Sequence, residues 1–177
     1  MGAAAQALGI PQIEDALLPV GARELRISDS FPMVFGRPTT VVRIVEQAGA
    51  PAVGQLLLVW MERRDRPPSY RATACTPWAG SLRSCVFVSD AELDWPTIAA
   101  KFEALEAWTI DAPCESGSSR TLDAGSLGIA RLAGDRASFY GCNAPASRGE
   151  TEAGRIAMAL YSYYLLIAGE AEQPPSA

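Results

Sequence analysis

Residues 39 to 61 read Thr39-Thr40-Val41-Val42-Arg43-Ile44-Val45-Glu46-Gln47-Ala48-Gly49-Ala50-Pro51-Ala52-Val53-Gly54-Gln55-Leu56-Leu57-Leu58-Val59-Trp60-Met61. The stretch Thr39 to Glu46 is dense in β-branched side chains, which favour an extended, half-buried backbone. Gly49-Ala50-Pro51 punctuates it as a turn. The run from Val53 to Met61 is apolar on both of its faces, so it is expected to be an inner strand. Two strands joined by a short turn pair antiparallel, which predicts a β-hairpin or meander at the centre of the fold.

Downstream, Arg63-Arg64-Asp65-Arg66-Pro67-Pro68 reads as an exposed loop. Tyr70 to Cys75 and Cys85 to Val88 then form a second hairpin around Thr76-Pro77-Trp78-Ala79-Gly80-Ser81, a segment rich in turn formers. Residues 94–108 read as a helix, with Trp95, Ile98, Phe102, Leu105 and Trp108 on one face. Asp94 can cap its start and Pro96 is tolerated in the first turn. The aromatic stripe is expected to pack on a sheet rather than hold a cofactor.

Leu127 to Leu132 and Ala137 to Cys142 form a third hairpin around Gly134-Asp135-Arg136. Ser147-Arg148-Gly149-Glu150 has the form of a capping box, predicting a last helix over about 148–168 that stops at Gly169. Its buried stripe is Ala153, Ile156, Ala157, Leu160, Tyr163, Tyr164 and Ile167. Tyr161 lies opposite that stripe and is expected to tuck under a sheet edge. Upstream, Glu24 to Ile27 is a short strand, a helical turn is placed at Ile13 to Leu18, and Phe31 to Pro38 is a linker.

The fold class expected is therefore α+β: an antiparallel sheet of about five to seven strands, with the two helices packed on one face. Residues 1–22 are read as a poorly ordered start, 23–169 as a single domain, and 170–177 as a disordered tail. The length, 177 residues, suits one domain.

Four cysteines, at 75, 85, 114 and 142, have neither the close pairs of a zinc site nor a redox C-x-x-C. Three pairings are open to four cysteines. The hairpin favours Cys75–Cys85, and Cys114–Cys142 would then tie a loop to the sheet. Bridges of this kind place the chain in an oxidising compartment, periplasmic or secreted. The segment Ala3-Ala4-Ala5-Gln6 resembles the remnant of a signal-peptidase site, with Met1-Gly2 an added start on a mature chain.

Histidine is absent. That removes the Ser-His-Asp triad, the Cys-His dyad and the histidine zinc sites in one step. The net charge is −5, and the basic residues (14 Arg, with Lys101 the only Lys) are scattered, so no nucleic-acid partner is expected. No apolar run approaches the ~18 residues of a membrane span. Asp90, Glu92 and Asp94 are explained by the helix start they precede, without catalysis. Asp123 and Asp135 sit in expected turns, and Lys101 lies mid-helix as a solvated side chain. No phosphate-binding glycine loop occurs. No cofactor and no metal are expected.

Residues 90 to 168 resemble a pattern found in uncharacterised small bacterial secreted or lipoprotein-type α+β proteins. The matching pieces are Trp95, Leu105-Glu106-Ala107-Trp108, Cys114, Asp123-Ala124-Gly125, Arg136 through Tyr140, Cys142 and Asn143-Ala144-Pro145. The turn here is Asp-Ala-Gly where the pattern has Asp-Gly. The resemblance implies a fold and a compartment, and no activity comes with it.

The functional expectation is a non-catalytic domain that binds another protein, of the inhibitor, immunity or envelope accessory type. Trp78 at the tip of a stapled hairpin, with Arg83 beside it, is the candidate anchor. Trp78 folded back onto the sheet is the structural alternative. A small-molecule or glycan binder with a concave pocket, and a carboxylate hydrolase with two facing acids, are the competing functions. Monomer and homodimer are both open.

Overall fold

The computed structural model describes residues 18–29, 38–67, 69–77, 80–114, 125–143, 145 and 149–171. In chain order the elements are β1 (Ala22–Asp29), β2 (Thr39–Gln47), β3 (Val53–Arg63), β4 (Ala74–Pro77), β5 (Leu82–Val88), α1 (Trp95–Ala104), β6 (Ser126–Ala133), β7 (Arg136–Asn143) and α2 (Glu152–Ala168). The seven strands form one sheet in the order β4-β5-β3-β2-β1-β6-β7, and every neighbouring pair is antiparallel.

The expected β2–β3 hairpin is present, closed around Gly49 at φ 78°. β3 is an inner strand, hydrogen-bonded to β2 on one side and β5 on the other. Its neighbour order explains why it is apolar on both faces: alternate residues Leu56, Leu58 and Trp60 face one way, Leu57 and Val59 the other. β1 is longer than the expected Glu24 to Ile27, and Ala22 opens it instead of closing an irregular start. Pairing on both sides, to β2 and β6, extends it. The expected turn at Ile13, the Phe31 linker, Trp78, Asp123 and the final residues 172–177 lie outside the described residues.

Both cysteine pairs form as expected. Cys75 and Cys85 are directly opposite in the β4–β5 ladder, with Cα atoms 4.1 Å apart. Cys114–Cys142 joins the segment after α1 to β7, 28 residues further on.

The main core collects Leu25, Ile27, Val42, Ile44, Leu56, Leu127 and Ile129 from the strands with Ile98, Phe102, Leu160, Tyr164 and Ile167 from the helices. Trp95 lies against the backbone of Gly54, where a Cβ would collide with its ring. The Tyr164 hydroxyl donates to the Thr40 carbonyl at 2.8 Å.

Both helices are shorter than expected. α1 ends at Ala104, not at residue 108, because the chain turns there and Glu106 takes φ 61°. Trp108 therefore leaves the helix and lies under the Arg23 guanidinium, 4.3 Å from ring centroid to Cζ. α2 begins at Glu152, not near 148. Its cap is Thr151, whose side chain accepts from the Gly154 N–H at 2.9 Å, so the capping box at 147–150 is not the start. Gly169 ends α2 as expected, in right-handed geometry (φ −66°). Ile156 and Tyr163, expected in the buried stripe, are half-buried. Among the described residues, no helix is long and apolar enough to cross a membrane.

Candidate functional site

Of the two expected anchor residues, Trp78 lies outside the described residues. Arg83 on β5 is committed to Glu62 on the paired β3, donating through Nε at 2.8 Å and approaching through Nη2 at 2.7 Å. The Glu62 carboxylate is buried and also accepts from the Ser69 N–H. Arg83 thus ties β5 to β3. Glu62 and the sulfurs of Cys75 and Cys85 lie within 4.8 Å of one another, but the disulfide consumes both thiolates that could ligate a metal.

Asp94 is a helix cap, as expected. It accepts from the Thr97 N–H at 3.3 Å and from the Thr97 hydroxyl at 2.6 Å. These hydrogen bonds hold its carboxyl below the usual aspartate value. Lys101 and Asp135 are exposed. Tyr161 is half-buried, its hydroxyl donating to Asp29 at 3.2 Å, and burial beside that carboxylate pushes its phenol up to about 12.

A recess of about 350 Å³ opens at the end of the sheet, lined by Gly21, Arg23, Glu46, Gln47, Ala48 and Ala50 among others. The cation in its lining, Arg23, is already bound to Glu46 at 2.5 Å and Glu103 at 2.6 Å. This is a shallow surface with its charges engaged, unlike the concave, convergent site of a small-molecule binder.

Two charged constructions were not visible in the sequence. Glu24 on β1 is fully buried and bonded to Arg26 Nε at 2.5 Å and to both Arg43 Nε and Nη2 at 2.9 Å. Burial works to raise its carboxyl, but the Arg43 hydrogen bonds and the Arg26 charge outweigh it and hold it below the usual glutamate value. On β6, Arg131 is buried and donates to the carbonyls of Ala107 at 2.7 Å and Ile110 at 2.5 Å, clamping the turn that follows α1. Burial lowers its guanidinium from the usual arginine value.

Among the described residues, a further surface with chemistry to offer is β7, one of the two sheet edges. The other edge, β4, is blunted: it is four residues long, ends in Pro77 and is stapled by Cys75. β7 has eight residues, no proline and no lysine. Its alternate residues Tyr140 and Cys142 are buried in the core, while Phe139 is 59% exposed. Gly141 has open space where its side chain would be.

The turn into β7 fixes which backbone groups point outward. Ala133 pairs with Arg136, and Gly134 opens the two-residue turn between them at φ 61°. In such hairpins the flanking pair is hydrogen-bonded, and bonded pairs then recur at every second residue. Ser138 and Tyr140 therefore bond to β6 opposite Arg131 and Ile129. Ala137, Phe139 and Gly141 aim their N–H and C=O groups away from the sheet. Met158, Leu165 and Leu166 on α2 are also exposed apolar side chains, but a helix face adds no backbone donors to them. No family model, curated protein or solved structure matches the chain.

Proposed function

We propose that this protein is a non-catalytic domain of an extracytoplasmic compartment, periplasmic or secreted, that binds a protein partner through the β7 edge. One observation carries the reading. β7 combines an unblunted strand edge with the exposed Phe139, whereas the opposite edge is closed by Pro77 and the Cys75–Cys85 staple. An extended partner segment adding to this edge would gain main-chain hydrogen bonds at Ala137, Phe139 and Gly141.

The two disulfides support the compartment, since such bridges persist where thiols are oxidised. They also support a rigid scaffold, with Cys142 fastening β7 itself to the segment after α1. The same reading lays both helices on one face of the sheet, supported by the core that Phe102, Leu160 and Tyr164 share with Leu25, Ile27 and Val42. The absence of histidine and the structural engagement of Asp94, Glu62 and Glu24 favour binding over a carboxylate hydrolase.

The test is site-specific photocrosslinking in the native host, with a benzophenone side chain at Phe139 or at Val53. Val53 is equally exposed but lies on β3. The reading expects a discrete protein adduct from position 139 and none from 53. Equal or absent crosslinking at the two positions overturns it.

A further inference from the structure

We infer that the partner at the β7 edge is a second copy of this chain, paired antiparallel about a two-fold axis at Phe139 to make one continuous sheet. The inference rests on the proposed protein-binding role of that edge and names its occupant.

With Phe139 opposite Phe139 of the second copy, Ala137 falls opposite Gly141, and Gly141 opposite Ala137. The outward-aimed groups of each strand then meet those of the other, giving about six main-chain hydrogen bonds. These three residues are uncharged, so no like charges meet across the seam, and the two Phe139 side chains meet as a cross-strand aromatic pair flanked by small residues. The one charge on β7, Arg136, falls at opposite ends of the two strands, about 20 Å from its counterpart. A parallel pairing would instead set the two arginines side by side.

The side chains agree with the same register. Phe139 points to the face opposite Tyr140 and Cys142, as do Ala137 and Gly141. Across the seam, each Phe139 ring has the Gly141 of the second copy as a diagonal neighbour. The space above Gly141 is open, so it can receive the ring. An exposed phenylalanine and an uncovered strand glycine, each unfavourable alone, satisfy one another in this pairing.

The experiment uses the full, oxidised chain and reads amide exchange and sedimentation together. At high concentration the expected result is a dimer in which the amides of Ala137, Phe139 and Gly141 exchange slowly and speed up on dilution. Those of Ser138 and Tyr140, which face β6, stay protected throughout. Phe139→Lys is expected to weaken the dimer at least about tenfold. Ala137→Pro removes one outward N–H while leaving the β6 ladder and should do the same.

A monomer with fast-exchanging Ala137, Phe139 and Gly141 amides overturns the second copy. If position 139 still crosslinks a different protein in the host, the binding role of the edge stands and only its occupant is wrong. A monomer in which those amides are protected means the chain covers its own edge, and both readings fail.

Discussion

Glu24 is the counter-ion of a buried Arg-Glu-Arg cluster, and replacing it with glutamine should be among the most damaging single changes in the sheet. Arg26 and Arg43 are direct neighbours in the β1–β2 register, and Glu24 bonds both. Arg26 is 5% exposed, and its Nη2 has no hydrogen-bond partner among the described residues. The substitution Glu24→Gln would keep the shape but replace a carboxylate oxygen with an N–H₂ donor aimed at guanidinium donors. Removing one partner of a buried ion pair costs about 3–5 kcal/mol, because the other charge stays buried without compensation. With a urea dependence of about 2 kcal/mol per molar, that moves the unfolding midpoint down by roughly 2 M. The triple change Glu24→Leu, Arg26→Leu and Arg43→Leu removes all three charges and should recover most of the loss. The pH dependence has a definite sign. Glu24 is held below its ordinary value in the folded chain, so its contribution is complete above the unfolded glutamate pKa of about 4.3 and fades as pH falls through the folded value. Glu24→Gln should therefore flatten the acid limb of the stability curve. A midpoint shift under about 0.5 M, with the acid limb unchanged, would refute this account of the cluster.

Arg131→Met removes two charge-assisted hydrogen bonds to the Ala107 and Ile110 carbonyls and should cost about 3 kcal/mol, with amide exchange accelerating across residues 105–110. Glu106 holds φ 61°, a left-handed conformation unfavourable for a side chain, so Glu106→Gly should raise the urea midpoint by the equivalent of about 0.5–1 kcal/mol. Replacing Cys114 and Cys142 together by Ala opens a loop of 28 residues' separation and should lower stability by about 3.6 kcal/mol on the chain-entropy model, read by the same denaturation.

The sequence made the strands legible where their own residues decided the matter. The β-branched run at 39–46, the turn at Gly49 and the two-sided apolar run after Val53 all correspond to structure, as do both disulfides. The helix ends were less legible, because tertiary contacts set them. Trp108 keeps the helical spacing but is drawn to Arg23, and Thr151 outcompetes the earlier cap. Glu24 and Arg26 alternate with Leu25 and Ile27, the usual mark of a solvent face, yet they are buried. Nothing in β1 alone reveals that Arg43 on the neighbouring strand completes the cluster. The β7 edge was hidden for a related reason. Ala137 to Cys142 reads as a strand from its sequence, but edge position follows only from the order of all seven.

Two sulfur bridges fasten the sheet, and the proposed compartment is one in which they stay oxidised. Non-reducing peptide mapping of the chain isolated from its native host, quenched with an alkylating agent, tests this most directly. Linked peptides joining Cys75 to Cys85 and Cys114 to Cys142, with no alkylated cysteine, are the predicted result. Four alkylated cysteines would contradict both the scaffold and the compartment.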